Sequence, residues 1–402
     1  MNGRIIGMGL WICLLAAGVL AVEAAEAVPP ARLELAAQFE GGRLYRAGDI
    51  RVVELTGSYR QMGRQYGALL QAEMAALYET AIEGYYLQTA GFAPERLDTI
   101  ARSLYDRYPR RYQEILLGMA ETSGLDVNRQ LRLNALEWYT KINHLNYGRC
   151  SGVAAWGHST ARRPLVFGRN NDDSAFFSTF ARVMVVAVFK PGDGSIPVAL
   201  INYAGVIYAA TGINRDGLFL ELNAGPWMGF SLGRASVFTT LFSILQDYSS
   251  LKAAQQALLA TLPDICSIVN AADPTGACSY EMSLYDSRPR GGNEFEFLAA
   301  TNHFVGATWP LSQMDEQVVA DTSQRRYNNL VRLGRLHRGR FTPEVMMQVL
   351  DTTIPFGGPT EVETTIYQVV AEPASLRIWL KVPRIQNWTG LDLAPLLTAE
   401  GG

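Results

Sequence analysis

Cys150 opens an apolar, strand-like run that ends at Gly157, and the segment Gly168-Arg169-Asn170-Asn171-Asp172 follows it. A cysteine at the head of one strand, with an arginine and a carboxylate on the next, is typical of a thiol nucleophile held beside a cation and an acid. A free thiol has a pKa of about 8.5, so it needs a base or a nearby cation to react at neutral pH. We therefore expect Cys150 to be a nucleophile and the two strands to form one hairpin.

Two sources of base are open to such a thiol. The chain has only four histidines, and His158 or His303 could form a Cys-His pair of the thiol peptidase type. Alternatively, a cut between Arg149 and Cys150 would create an α-amino group, with a pKa of about 7.7–8.0, next to the thiol. That amine could take the thiol proton itself.

Further motifs follow in a fixed order along the chain. They are Gly57-Ser58-Tyr59-Arg60-Gln61-Met62-Gly63, Gly212-Ile213-Asn214-Arg215-Asp216-Gly217 leading to Glu221-Leu222-Asn223, Thr301-Asn302-His303-Phe304, and Asp321-Thr322-Ser323-Gln324-Arg325-Arg326-Tyr327. Together with Cys150-Ser151, this series resembles the cysteine-type N-terminal nucleophile hydrolases. The opening motif is most similar to the acyl-CoA:6-aminopenicillanic acid acyltransferase branch. Choloylglycine hydrolase, acid ceramidase and N-acylethanolamine acid amidase are related families.

The resemblance implies a fold and a role for each matched residue. The fold would be α+β, an αββα four-layer sandwich preceded by a helical prosegment. Cys150 would be the nucleophile and its freed amine the base, with Arg169 holding the thiolate and Asp172 orienting the amine. The remaining matched residues are two oxyanion-binding asparagines and an arginine that completes the polar network, namely Asn223, Asn302 and Arg326, with Arg325 as the less favoured arginine.

The resemblance also implies an activity. The protein would hydrolyse a non-peptide linear amide, a small N-acyl compound, or transfer its acyl group, through a thioester on Cys150 and without a metal or cofactor. Four aromatic residues after the motifs could form an acyl pocket or belong to ordinary core: Phe176, Phe177, Trp227 and Phe230. An exported ligand-binding protein on the same scaffold, without turnover, is the alternative. Arg149 is bulky for the residue before a cut and could slow the N→S acyl shift.

The chain divides into three segments by composition. Residues 1–27 read as a signal peptide, with Arg4, an apolar stretch and Ala25-Glu26-Ala27 before the cleavage point, so we expect a periplasmic or secreted protein. Membrane association would follow only if the apolar stretch stayed as an anchor. Residues 28–149 read as mainly helical, a prosegment retained as a subunit after cleavage. Strands and helices alternate in residues 150–402, the predicted catalytic domain.

Charge and cysteines add two further expectations. The net charge of −3 lacks the positive excess that a nucleic-acid surface requires. Cys266 and Cys278 flank the turn residues Asp273-Pro274-Thr275-Gly276, which predicts a disulfide that leaves Cys150 as the free thiol. Cys13 would be removed with the signal peptide, and three buried reduced cysteines are then the alternative.

Overall fold

The computed structural model of the protein describes residues 27–142, 149–309 and 322–398. The predicted signal peptide, except for its last residue, lies outside the described residues, and so does Asp321 of the late motif. Among the described residues, no helix is long and apolar enough to cross a membrane.

In residues 27–142, 149–309 and 322–398, sixteen strands form two sheets. The strands are β1 (Glu34–Phe39), β2 (Gly42–Ala47), β3 (Ile50–Gly57), β4 (Ser151–Ala155), β5 (Val166–Asp172), β6 (Met184–Pro191), β7 (Val198–Tyr203), β8 (Thr211–Asn214), β9 (Phe219–Ala224), β10 (Ser267–Asp273), β11 (Gly276–Met282), β12 (Ser287–Gly291), β13 (Phe297–Ala300), β14 (Thr365–Glu372), β15 (Arg377–Val382) and β16 (Gln386–Asp392). The ten-stranded sheet has the order β1-β2-β3-β6-β7-β8-β9-β10-β11-β12, and the six-stranded sheet has the order β13-β4-β5-β14-β15-β16.

Twelve α-helices are found in the part of the chain that the structure describes. They are α1 (Tyr59–Leu69), α2 (Gln71–Leu77), α3 (Pro94–Tyr105), α4 (Arg110–Thr122), α5 (Val127–Asn134), α6 (Leu136–Ile142), α7 (Ala175–Ser178), α8 (Val237–Asp247), α9 (Leu251–Ala260), α10 (Gln324–Leu336), α11 (Pro343–Asp351) and α12 (Ala394–Thr398). A π-helix, Tyr78–Thr89, follows α2.

The two sheets face each other and helices cover their outer faces. Helices α10 and α11 pack on the six-stranded sheet, and α1, α8 and α9 pack on the ten-stranded sheet. Between the sheets, the rings of Phe167 and Phe219 lie 4.9 Å apart. Because both faces are covered, β4 is buried along its whole length and reads as an apolar run rather than an alternating one. The predicted αββα sandwich is confirmed.

The described part of the segment before Cys150 is mainly helical, as predicted, but it opens with strands that were not predicted. Its first elements are the strands β1, β2 and β3, and β3 pairs in parallel with β6 from Arg51↔Val185 to Gly57↔Pro191. Sheet and helices of this segment therefore share one core with the rest of the chain.

The predicted disulfide between Cys266 and Cys278 is wrong. Strands β10 and β11 form a hairpin in which Cys278 lies opposite Ala271, whereas Cys266 precedes β10. About five extended residues, or roughly 16 Å, therefore separate the two positions, and a disulfide needs Cα atoms within about 7 Å. Both cysteines are free thiols, as is Cys150.

Candidate active site

The hairpin of β4 and β5 brings the predicted nucleophile, arginine and carboxylate together. Ser151 pairs with Asn170 in an antiparallel ladder, and the backbone N–H of Arg149 donates to the carbonyl oxygen of Asp172 at 3.0 Å. The pairing thus continues through Cys150, which is buried at 6% exposure. The expected hairpin is confirmed.

Alternation along β4 sends neighbouring side chains to opposite sides. Cys150 and Gly152 face the space between the two sheets, where Arg169 lies, and we call this the Arg169 side. Ser151 points the other way, to Arg326 at 2.8 Å, and we call this the Arg326 side. The two arginines, both fully buried, therefore approach the nucleophile from different directions.

On the Arg169 side, the guanidinium is held in a closed ion pair. Arg169 Nη2 lies 3.9 Å from the Cys150 Sγ, while Nη1 binds the carboxylate of Glu221 and the carbonyl oxygen of Leu222, the latter at 2.9 Å. Burial alone would lower the pKa of Arg169, but Tyr367 and Glu221 raise it above its ordinary value. Burial raises the pKa of Glu221 against the opposing effects of Arg169 and Asn270.

Glu221 is a member of the site that the sequence analysis did not single out. It lies in β9 between Leu220 and Leu222, and it is fully buried. Its second oxygen accepts a hydrogen bond from Asn270 in the neighbouring strand β10. The only signal in the sequence was a carboxylate two residues before the matched Asn223, inside an otherwise apolar strand.

The two predicted oxyanion asparagines differ in how their amide groups are used. Asn223 Oδ1 accepts from Arg169 at 3.3 Å, and its buried Nδ2 has no hydrogen-bond partner among the described residues. Asn302 Nδ2 donates to the carbonyl oxygen of Ala224 at 2.9 Å, and its Oδ1 accepts from Arg326. Asn223 therefore offers a wholly free donor, whereas Asn302 has one of its two amide hydrogens engaged.

On the Arg326 side, the guanidinium binds only neutral oxygens. Nη1 donates to the carbonyl oxygen of Cys150 at 2.6 Å and to the hydroxyl of Ser151, and Nη2 donates to Asn302 Oδ1 at 2.7 Å. Burial lowers the pKa of Arg326 to about 10, although Asp172 acts in the opposite direction. Arg325 is exposed on α10, so Arg326 is the arginine that reaches the site.

Asp172 carries the most poorly satisfied charge near the nucleophile. Both of its carboxylate oxygens are buried, and neither accepts a hydrogen bond of normal geometry from the described residues. Burial raises the pKa of Asp172 to about 7, although Thr365, Arg326 and Arg169 favour the charged form. A cation placed beside this carboxylate would relieve that cost.

The surroundings of the Cys150 thiol in the uncut chain favour its protonated form. Burial raises its pKa to about 11 despite the attraction of Arg169, and its polar neighbours are Asn171 Oδ1 at 3.8 Å and the Asp172 carbonyl oxygen at 3.6 Å. His158 binds Glu296 instead, and His303 binds Ser323. The described contacts thus give no support to a Cys-His pair.

A small cavity of about 30 Å³, partly open to solvent, lies beside the thiol. Aromatic rings of Phe177, Tyr203 and Phe238 form one wall, while Glu137 and Lys141 of α6 contribute charge. Of the four predicted pocket aromatics, only Phe177 is among the lining residues. The others pack elsewhere: Phe176 against Tyr85, and Trp227 against Phe230.

No group of three or more histidine, cysteine or acidic side chains in the described ranges is arranged to hold a metal ion. The polar groups around Cys150 are instead amides, guanidinium groups and carboxylates. Such a set can bind an oxyanion and an ammonium.

Comparison with known proteins gives similarity of fold at low identity. No protein-family model matches the chain, and no curated protein matches it significantly. An N-acylethanolamine-hydrolyzing acid amidase ortholog from Caenorhabditis elegans is 18% identical, with a TM-score of 0.43 over 56% of this chain and 93% of that one. Penicillin V acylase from Agrobacterium tumefaciens is 12% identical, with a TM-score of 0.42 over 63% and 90%.

A mutant of the conjugated bile acid hydrolase from Clostridium perfringens is 15% identical, with a TM-score of 0.36 over 62% of this chain and 95% of that one. None of these comparisons distinguishes the acyltransferase branch from the others. This chain is thus similar, at low identity, to a solved acid amidase, a solved penicillin V acylase and a solved bile acid hydrolase.

Proposed function

We propose that this protein is a thiol amidohydrolase that cuts its own chain between Arg149 and Cys150 and then cleaves small, non-peptide N-acyl amides. One observation carries the proposal. At the buried thiol of Cys150, the carboxylate of Asp172 and the Nδ2 of Asn223 are buried and have no hydrogen-bond partner in the described part of the chain. Unsatisfied buried polar groups are costly and rare in folded proteins, so a pair of them at a thiol indicates a site waiting for a ligand.

The two unsatisfied groups match the two charges that the reaction would create. Cleavage before Cys150 releases an α-amine, and its ammonium form would neutralise the Asp172 carboxylate. Attack by the thiolate on an amide carbonyl would place negative charge on oxygen, where Asn223 Nδ2 could donate. Such donors stabilise the transition state because they are already oriented before the charge develops.

The cycle then needs only groups of this chain. The amine takes the thiol proton, Sγ attacks the amide carbon, and the resulting ammonium returns the proton to the leaving amine as the C–N bond breaks. The acyl group stays on Cys150 as a thioester until water releases the acid and restores the thiol. An amine in place of water would give acyl transfer, which the same residues could support.

The cut would leave two chains that stay associated. Strands β1–β3 belong to the ten-stranded sheet, and α6 contributes Glu137 and Lys141 to the cavity at Cys150. A retained N-terminal subunit is therefore part of the proposal. Export through residues 1–27 also stays a prediction, which the N-terminal sequence of the protein recovered outside the cytoplasm would test.

The decisive experiment is intact mass and N-terminal sequencing of the purified protein beside Cys150→Ala. We expect two fragments, one beginning at Cys150, and a single uncut chain in the variant, together with loss of all amidase activity on a panel of N-acyl amides. A single uncut chain in both proteins would remove the required amine and reject the proposal. The alternative of a ligand-binding protein would then gain support from slow, equal iodoacetamide labelling of all three cysteines.

A further inference from the structure

The residue before the predicted cut is held by the folded chain on both sides of the scissile bond. The backbone N–H of Arg149 donates to the Asp172 carbonyl oxygen at 3.0 Å, which continues the ladder with β5. Beyond the bond, Arg326 Nη1 donates to the carbonyl oxygen of Cys150 at 2.6 Å. The side chain of Arg149 adds a further anchor, because its guanidinium forms an ion pair with the carboxylate of Glu361.

Glu361 is itself fixed in place by the start of β14. Its carbonyl oxygen accepts hydrogen bonds from the backbone N–H groups of Thr364 and Thr365, at 3.0 and 3.1 Å, and from the Thr365 hydroxyl. Thr365 pairs with Asp172 across the β14–β5 ladder. Glu361, whose carboxylate pairs with Arg149, is therefore anchored to β14, the strand that pairs with Asp172 of β5.

Charge on this side of β4 favours the same pairing. Arg149 and the buried Arg326 repel each other, and Glu361 attracts both cations. The side chains of Arg149 and Glu361 are 41% and 35% exposed, and exposed ion pairs contribute little to folding stability. An effect of this pair on the cut can thus be separated from an effect on the fold.

We propose that Glu361 is a positioning residue that recognises a cationic side chain at position 149 and sets the rate of self-cleavage; this rests on the function proposed above. In that step, Sγ of Cys150 attacks the carbonyl carbon of Arg149, the C–N bond breaks, and the nitrogen takes the thiol proton and becomes the α-amine. Water then hydrolyses the thioester, which frees the Arg149 carboxylate and restores the thiol. The bulky residue before the cut is an anchor for this attack.

The test is a time course of cleavage in cell-free synthesis, followed by intact mass. We expect Glu361→Gln to slow the cut by about 10- to 100-fold, because small displacements from an attack geometry have effects of that size. Arg149→Lys should stay close to the wild-type rate and Arg149→Glu should be slow. The exchange Arg149→Glu with Glu361→Arg should recover most of the rate.

Glu363→Gln is the matched control, because Glu363 is an exposed carboxylate two residues away that pairs with Arg384, and it should cut at the wild-type rate. Cleavage of Glu361→Gln at the wild-type rate would overturn the inference. So would a double variant, Arg149→Glu with Glu361→Arg, that cuts as slowly as Arg149→Glu alone. Melting temperatures in the Cys150→Ala background should be unchanged by Glu361→Gln; a fall would assign Glu361 to the fold instead. An uncut wild-type chain would reject the proposed function itself, which is a different result.

Discussion

The two sides of β4 each hold a buried arginine and a buried carboxylate, yet the pairs are built differently. On the Arg169 side, the guanidinium and Glu221 are in direct contact. On the Arg326 side, the guanidinium binds neutral oxygens, and the Asp172 carboxylate has no hydrogen-bond partner among the described residues. We call the first pair closed, because its two charged groups are in direct contact, and the second pair open, because they are not.

This difference indicates a division of labour around the nucleophile. A closed ion pair fixes the position of Arg169 beside the thiol, and its two charges balance each other. An open pair keeps a carboxylate available, so an ammonium created at Cys150 can be inserted between existing groups. Self-cleavage would supply that ammonium. The Asp172 carboxylate on the Arg326 side would then have a cation in contact with it, as Glu221 already has on the Arg169 side.

The largest effect that would test the comparison is on stability. Glu221→Gln should lower the free energy of unfolding by about 3–5 kcal/mol, because it leaves Arg169 as a buried cation without its carboxylate. Asn302→Ala removes one neutral hydrogen-bond acceptor from Arg326 and should lower the free energy of unfolding by about 1–3 kcal/mol. Urea unfolding in the Cys150→Ala background, where both chains stay uncut, measures the two values; a larger loss for Asn302→Ala would contradict the comparison.

The open pair should also give the uncut chain a pH dependence. The pKa of Asp172, about 7 in the folded state, lies above the value of about 3.9 for an unfolded chain. The folded state therefore binds more protons between these values, and stability falls as the pH rises from about 4 to 7.

Asp172→Asn removes this titration. In the Cys150→Ala background, it should match its parent at pH 4 and be more stable by up to about 4 kcal/mol at pH 8. Asp173, whose pKa burial also raises to about 7, is present in both chains and cancels from the difference. Equal stability of the two proteins across this range would show that Asp172 already has a partner.

A smaller effect should follow from filling the closed side. A Cβ at Gly152 would overlap the Glu221 carboxylate. Gly152→Ala should therefore lower the free energy of unfolding by about 1–3 kcal/mol through overpacking, and it should slow any reaction at Cys150. Gly291→Ala is the control, because nothing lies within 4 Å of a Cβ there. Calorimetry of both variants would decide whether the Arg169 side is as tightly closed as the contacts indicate.

The smallest expected effect concerns the cavity that opens on the Arg169 side. Phe177 lines it with Cys150, so Phe177→Ala should reduce kcat/KM for arylacyl amides about tenfold relative to short acyl amides. Phe230, which is partly exposed and packs on Trp227, should tolerate alanine without a change in preference. Matched series of acyl amides would measure both, and an identical response of the two variants would place the acyl pocket elsewhere.

Which residues lie together around Cys150 was predicted from the sequence more accurately than the strands and the disulfide elsewhere in the fold. The order of the motifs identified Cys150, Arg169 and Asp172 as neighbours, since a hairpin brings consecutive strands together. It could not reveal Glu221 as the partner of Arg169, because a glutamate in a strand usually faces solvent. Its burial follows only once two sheets pack face to face.

The two framework errors also have physical causes. Cys266 and Cys278 are close in sequence, but the hairpin register that separates them depends on which residues form the turn. Strand β2 carries two arginines, Arg43 and Arg46, and β1 is largely exposed, so these two strands lack the apolar signal of buried strands. Strand β3 is apolar and buried, but it pairs with β6, which lies far along the chain.

The parallel pairing of β3 with β6 gives the predicted cut a consequence for folding. An intact chain delivers β3 to β6 within one molecule, at the high effective concentration that a tether provides. After cleavage, the same sheet would be shared by two polypeptides. Refolding from a denatured state would then require the two chains to associate, which is a second-order reaction. The active form would then be assembled once, as a precursor, and its lifetime after the cut would be governed by how slowly it unfolds.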